Sequence, residues 1–159
     1  MSKKPSSSRA PAAETTLRCA EVMRRRVVSV EPGNSVMLAA RLMHENGCGL
    51  LPVVDHEQRV VGVISDRDIV IRVCVQAAPE SVRVDAAMSR EVVSCRPEDP
   101  LSVAEELMIA HRKSRVVVLE DGRLAGVLSL ADIAQVEQPL KLARLVREIS
   151  AREIRIERP

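Results

Sequence analysis

Apolar side chains between residues 35 and 46 recur at a helical period. The four that share one face are Val36, Ala39, Ala40 and Met43. Their i, i+3, i+4, i+7 spacing predicts an amphipathic helix over residues 35–46. Ser35 is a suitable N-cap for this helix, and Gly47 is a suitable residue to end it.

Short runs rich in valine flank this helix and predict three strands. They cover residues 26–30, 51–54 and 59–64. The polar residues 55–58 predict a turn, so the last two strands should form a hairpin. A second helix is expected to begin at Ser65 and to reach about residue 75, which makes the order βαββα.

The second half of the chain repeats this pattern. A shift of 65 positions, reduced to 64 by one gap near Glu57, superposes the two halves. The coincident pairs include Met23 and Met88, Pro32 and Pro97, Val53 and Val118, Gly62 and Gly126, and Asp68 and Asp132. The repeated unit therefore predicts strands at 92–95, 115–119 and 123–128, and helices over 100–112 and from Ser129.

The repeat predicts an α+β fold of two βαββα units packed sheet to sheet about a pseudo-two-fold axis. One three-stranded unit has too small a core to be stable alone, and two packed units leave a groove between them. We expect a flexible tail over 1–16, a first unit over 17–77, a second unit over 78–137 and an amphipathic helix over 138–159. That helix, with a face of Leu140, Ala143, Val146 and Ile149, could dock on the body or serve as a basic arm.

Composition narrows the function classes. The chain has no Phe, Trp or Tyr and a net charge of +2, which argues against nucleic acid as a partner. No apolar run reaches the ~18 residues that span a membrane, and the four cysteines form no CxxC pair, so we expect a cytoplasmic protein with reduced thiols. His44 and Cys48 do not make a convincing metal site. The sequence contains no recognised catalytic motif, so we do not expect an enzyme.

One motif whose side chains could bind a ligand occurs once in each unit. Gly-Val-Ile-Ser65-Asp-Arg-Asp68-Ile is matched by Gly-Val-Leu-Ser129-Leu-Ala-Asp132-Ile. A helix start exposes backbone N–H groups that accept phosphate, and the Asp one turn later can accept ribose hydroxyls. The alternative is a capping box, in which Ser and Asp satisfy only each other's backbone N–H groups.

These motifs resemble the tandem cystathionine-β-synthase (CBS) domain pair, or Bateman module. The resemblance covers about residues 17–136 and includes Val22-Met23, Ala87-Met88, Pro32, Pro97, the run Leu51-Pro52-Val53-Val54-Asp55 and both Ser-x-x-Asp motifs. It implies an adenosine-containing ligand, such as AMP, ADP, ATP, S-adenosylmethionine or cyclic di-AMP, in the cleft between the units. No obligatory cofactor is implied.

The resemblance also implies roles for single residues. Asp68 and Asp132 would hold ribose, and Ser65 and Ser129 would face phosphate. Adenine would lie between the first strand of a unit and its second strand, at Val28, Ser29, Leu51 and Pro52 or at Val93, Ser94, Val116 and Val117. Arg115 would bind phosphate where the first unit has Leu50, and Arg67 is the residue that would compensate. We therefore expect unequal sites, with Asp132→Ala more harmful than Asp68→Ala.

The leading hypothesis is a regulatory module that signals in trans to a protein partner or a second subunit. The family resemblance and two apolar helix faces, expected to be partly exposed in a lone chain, predict a homodimer. These faces are Val36/Ala39/Met43 and Leu101/Ala104/Met108. The alternative is a dimerisation scaffold that binds no nucleotide.

Overall fold

The computed structural model of the chain describes residues 17–74 and 81–151 and has the α+β fold of two like units. The helices are α1 (Cys19–Val22), α2 (Val36–Asn46), α3 (Asp66–Ile69), α4 (Val84–Ala87), α5 (Leu101–His111), α6 (Leu130–Ile133) and α7 (Pro139–Ser150). The strands are β1 (Leu50–Val54), β2 (Val60–Ser65), β3 (Ser94–Cys95), β4 (Arg115–Glu120) and β5 (Arg123–Ser129). The tail predicted over 1–16 lies outside the described residues.

Each unit contains the predicted antiparallel hairpin. In the first unit β1 pairs with β2, so that Leu51 lies opposite Ile64; in the second, β4 pairs with β5, and Val116 lies opposite Leu128. All four of these side chains are almost completely buried. The hairpins therefore form the floor of two hydrophobic cores, one in each unit.

The strand predicted over 26–30 is wrong, and a proline explains why. In the second unit the N–H of Val117 donates to the carbonyl of Val93 at 3.0 Å, and β3 runs parallel to β4. Pro52 occupies the equivalent position in the first unit and has no N–H to donate. Only an isolated bridge between Val30 and Val53 remains there.

The helical segment predicted from Ser65 to about residue 75 is present but is not α-helical throughout. α3 has four residues and continues as a π-helical turn, Val70–Cys74, whereas α6 ends at Ile133. The helix predicted over 100–112 begins one residue later, because Pro100 is its N-cap rather than part of its first turn. α2 is confirmed: the Ser35 hydroxyl accepts from the N–H of Leu38 at 3.1 Å, and Gly47 ends the helix at a φ of 58°.

The short helices α1 and α4 pack across the repeat. Cys19 of α1 and the following Met23 belong to the core of the second unit. Val84 and Ala87 of α4, with Met88, belong to the core of the first. We call the segments that follow these helices, residues 23–28 and 88–93, the crossing segments. Each unit therefore completes its core with a piece of the other.

Backbone hydrogen bonds hold each crossing segment against the opposite hairpin. Arg24 and Val127 exchange two bonds of 2.9 and 3.0 Å, and Ser89 and Val63 exchange two of 2.8 and 2.9 Å. A glycine beside each contact permits this approach. A Cβ on Gly126 would lie 2.7 Å from the Arg24 carbonyl oxygen, and one on Gly62 would lie 2.8 Å from that of Ser89.

α7 docks on α5, but through a face other than the predicted one. Leu145 is buried, and the Lys141 ammonium lies 2.8 Å from a carboxylate oxygen of the buried Glu105. Leu140 is 86% exposed and Val146 is 41% exposed, so the predicted face points largely outward. The docked face contains Lys141, Leu145 and Ile149, each four residues from the next, and of these Ile149 alone belongs to the predicted face.

The apolar helix faces that favoured a homodimer are buried within the single chain. Val36, Ala39 and Met43 lie in the first core, and Leu101, Ala104 and Met108 lie in the second. Their burial is complete without a second copy, so they give no argument for a dimer. The exposed apolar residues of α2 are Met37 and Leu38 instead.

We predict that Gly126→Ala destabilises the protein by about 1–3 kcal/mol, because the new Cβ must displace backbone rather than a flexible side chain. Urea unfolding at neutral pH measures the change. Gly33→Ala is the control, since a Cβ there meets only the end of the Arg83 side chain at 3.4 Å. Equal stability of the two variants would contradict the close approach.

Candidate functional site

A cavity of about 350 Å³ lies beside the start of α3 and draws residues from both units. The first unit supplies Ser65 and Asp68. The second supplies Val93 from its crossing segment and the residues around Arg115 at the start of β4. We call it the Asp68 cavity.

A second cavity, of about 290 Å³, is related to the first by the pseudo-two-fold axis. The second unit supplies Ser129 and Asp132, and the first supplies Val28 from its crossing segment. We call it the Asp132 cavity. The exchange of crossing segments therefore places each motif aspartate opposite the other unit, where a single ligand can contact both.

The Ser-x-x-Asp motifs form complete capping boxes. The Ser65 hydroxyl donates to Asp68 Oδ2 at 2.6 Å, and the N–H groups of Ser65 and Asp68 close the box at 2.9 and 3.1 Å. Ser129 and Asp132 make the same three contacts. Both serine hydroxyls are thus committed to the aspartates. Each aspartate keeps its Oδ1 atom for other contacts.

The helix starts offer less to a phosphate than the sequence predicted. The Asp66 N–H donates to the Gly49 carbonyl at 3.2 Å, and the Arg67 N–H donates to Asp66 Oδ1 at 2.7 Å. In the second unit the Leu130 N–H donates to the Ser114 carbonyl at 2.9 Å. These N–H groups already have acceptors, so they are less available to an anion than a free helix start would be.

The two aspartates meet different arginines. Arg24 Nε lies 2.8 Å from Asp132 Oδ1, whereas Arg72 Nη2 lies 3.4 Å from Asp68 Oδ1. Arg24 comes from the crossing segment, where the second unit has Ser89. Burial alone would raise the pKa of Asp132, but hydrogen bonds from Ser129 and Arg24 outweigh it, so that pKa lies below its usual value.

Unpaired cations gather at the Asp68 cavity. Arg67, Arg112, Lys113 and Arg115 line it, and none of their side chains forms an ion pair with any described residue. The Asp132 cavity has two such cations, Arg26 and again Arg115. The expectation of a better-equipped Asp132 site rested on Arg115, which lines both cavities. The Asp68 cavity therefore has more unpaired cations than the Asp132 cavity, although Asp66 and Glu91 also line it.

Several residues expected at the site lie elsewhere. Leu51, Pro52 and Val116 are buried and line neither of the two cavities, and Ser29 is absent from both linings. Ser94 lines a larger cavity of about 540 Å³ whose walls include Glu98, Asp99, Glu120 and Asp121. We assign no binding role to that acidic cavity, because it contains neither motif.

Sequence reasoning placed Val28 and Val93 at the sites but missed other residues of the crossing segments. Arg24, Arg26 and Ser89 line the cavities, as does Arg72. The repeat was the signal that could have indicated them, because Arg24 and Ser89 occupy equivalent positions and line equivalent cavities. Over 17–74 and 81–151, no group of three or more metal-ligating side chains is assembled, and no helix is long and apolar enough to cross a bilayer.

Comparison with known sequences identifies the repeat. The sequence profile of the CBS domain matches the chain twice, over residues 19–74 and 82–138. The CBS domain-containing protein YhcV of Bacillus subtilis (strain 168) is 35% identical over 115 residues, which cover 72% of this chain and 81% of YhcV. The two matches to the CBS domain include both Ser-x-x-Asp motifs.

Solved structures show the same architecture. The CBS-domain containing protein ATU1752 from Agrobacterium tumefaciens superposes with a TM-score of 0.68 and is 32% identical, covering 75% of this chain and 98% of its own. The CBS domain pair of protein MJ0100, solved with methylthioadenosine and S-adenosyl-L-methionine, has a TM-score of 0.69 and 22% identity, covering 76% and 95%. The latter likeness shows a shared fold.

We predict that Arg24→Gln raises the pKa of Asp132 towards its ordinary value, because the cation that stabilises the carboxylate is removed. Carboxyl ¹³C NMR titration of Asp132 measures the midpoint. Since the folded-state pKa is depressed, the stabilisation that Asp132 gives is present at neutral pH and is lost as the pH falls through that midpoint. Arg26→Gln is the control, and identical midpoints in the two variants would contradict the assignment.

Proposed function

The chain belongs to the CBS domain family, and on this premise we propose that it is a regulatory module that binds adenosine-containing nucleotides between its two units. The observation that carries the proposal is the pair of cavities, each with a motif aspartate from one unit and a crossing segment from the other. The bound methylthioadenosine and S-adenosyl-L-methionine of the MJ0100 pair support an adenosyl ligand.

Ribose recognition would use the aspartate atoms that the capping boxes leave available. A carboxylate oxygen has lone pairs for more than one donor, so Oδ1 of Asp68 or Asp132 can accept from a ribose hydroxyl while Oδ2 continues to cap the helix. Val28 and Val93 offer apolar contact to a base in their respective cavities. The protein has no aromatic side chain to stack on a base, and base edges would be read largely by backbone groups.

Phosphate recognition favours the Asp68 cavity. Its lining includes four unpaired cations as well as the carboxylates of Asp66, Asp68 and Glu91. Hydrogen bonds between a guanidinium or ammonium group and phosphate are stronger than neutral ones. A ligand with several phosphates, such as ATP or ADP, gains most from such a cluster. The Asp132 cavity has fewer free cations and is better suited to a ligand with little phosphate.

Signalling would follow from the shared construction of the cavities. A ligand can contact the aspartate of one unit and the crossing segment of the other at the same time. Such a ligand stabilises the arrangement of the units in which both contacts form. The change in that arrangement would be passed in trans, to a second copy of the chain or to a separate protein. This role requires no chemistry at the ligand, and we propose no catalytic activity.

One observation favours a second function, that of a dimerisation scaffold. Met37 and Leu38 on α2 are 48% and 38% exposed, so they offer an apolar surface to a partner. The capping boxes are also complete without any ligand. On this alternative the protein would associate through α2 and would not respond to nucleotides.

We predict that ATP binds in isothermal titration and that Asp68→Ala weakens it more than Asp132→Ala does, reversing the order expected from the sequence. Losing one charged hydrogen bond corresponds to about tenfold in Kd. Each substitution also removes a helix cap, which costs about 1 kcal/mol of stability.

Asp55→Ala is the matched control, because Asp55 accepts two backbone N–H groups at 2.9 Å but lines neither the Asp68 nor the Asp132 cavity. It should lose stability and keep its affinity. AMP, adenosine and GTP complete the ligand panel. No binding of any adenine compound at millimolar concentration would reject the nucleotide function and favour the scaffold.

A further inference from the structure

Two residues at equivalent positions of the repeat line both cavities. Leu50 begins β1 and Arg115 begins β4, and a shift of 65 positions superposes them. Each contributes to the Asp68 cavity and to the Asp132 cavity. They therefore lie where the two cavities approach each other across the pseudo-two-fold axis.

Only one of these two positions carries a charge. Arg115 is exposed, and its side chain has no hydrogen-bond or ion-pair partner among residues 17–74 and 81–151. A symmetric repeat would place two guanidinium groups here, one available to each cavity. Because Leu50 replaces the second, a single cation serves two potential anion sites.

We propose that Arg115 couples the two cavities, so that a phosphate-bearing nucleotide in one weakens the binding of a second such nucleotide in the other. This inference rests on the proposed nucleotide function. A guanidinium that donates to a phosphate in the Asp68 cavity is withdrawn from the Asp132 cavity, which then keeps only Arg26 as an unpaired cation. A ligand without phosphate is not subject to this competition.

The coupling is reciprocal by thermodynamic linkage. The Asp68 cavity has three further unpaired cations, so it should fill first with ATP and hold Arg115. Emptying the Asp68 cavity should therefore improve ATP binding at the Asp132 cavity. Two independent sites of unequal strength would not behave in this way, since each would keep its own affinity.

Isothermal titration with ATP tests the coupling in four proteins: wild type, Asp68→Ala, the double variant Asp68→Ala/Arg115→Leu, and Leu50→Arg. Wild type should show a tight and a weak site. In Asp68→Ala, whose Asp68 cavity binds ATP more weakly, the Asp132 cavity should bind ATP about tenfold more tightly than the weak wild-type site, the gain expected of one charged hydrogen bond. The double variant should lose that gain.

Leu50→Arg supplies the missing cation and should bring the two wild-type affinities together. Adenosine is the control ligand, and its affinity should change less than twofold between wild type and Leu50→Arg. Circular dichroism confirms that each variant is folded.

The possible outcomes distinguish failure of the coupling from failure of the proposed nucleotide binding. A weak-site affinity that is the same in wild type and Asp68→Ala would overturn the coupling and leave nucleotide binding intact. A gain that persists in the double variant would show repulsion between phosphates rather than competition for Arg115, and would also overturn it. No ATP binding to the wild type would overturn both proposals.

Discussion

Backbone hydrogen bonds between the two units hold them in their mutual arrangement, and two pairs of these bonds fix the crossing segments. Arg24 and Val127 exchange one pair, and Ser89 and Val63 exchange the other. Each pair binds a crossing segment to the hairpin of the opposite unit, at a glycine that has no Cβ to prevent the contact. These bonds carry Met23 and Met88 into the opposite cores, so that neither unit completes its core without the other.

The same crossing creates the candidate sites. The crossing segments bring Val93 to the Asp68 cavity and Val28 to the Asp132 cavity. The residues around Arg115 and Leu50 add further contacts from the opposite unit. The exchange makes each cavity a joint product of both units. A ligand that contacts both sides of such a cavity depends on the relative arrangement of the two units. On the proposed function, this dependence converts ligand binding into a change of shape.

Departures from the repeat give the two cavities different chemistry. Arg24 holds Asp132 where Ser89, its counterpart, leaves Asp68 to the longer contact with Arg72. Leu50 stands opposite Arg115, and Pro52 stands opposite Val117. The proline removes a strand from one unit, and the leucine removes a cation from the centre. The repeated sequence therefore accounts for the architecture that the two units share. Differences at single equivalent positions account for the different chemistry of the two cavities.

Most of the local structure was readable from the sequence, whereas the contacts between units were not. The period of α2, the two hairpins and the capping boxes follow from residues close together in the chain. The crossing of α1 depends on contacts between residues more than 70 positions apart, such as Cys19 and Cys95. That of α4 depends on contacts such as the hydrogen bond from the Val84 N–H to the Asn34 carbonyl. The strand missing at 26–30 depends on the single absent N–H of Pro52. The cations around Asp68 come from α3 and from the segment between the end of α5 and the start of β4, so grouping them required the packing of the two units to be known.

The central claim is that an adenosine ligand binds between the units and touches both. A crystal structure of the protein with AMP tests it most directly. The account predicts ribose hydroxyls within hydrogen-bond distance of Asp68 or Asp132 and a base against the crossing segment of the opposite unit. AMP bound to one unit alone, or two empty cavities at saturating AMP, would contradict it.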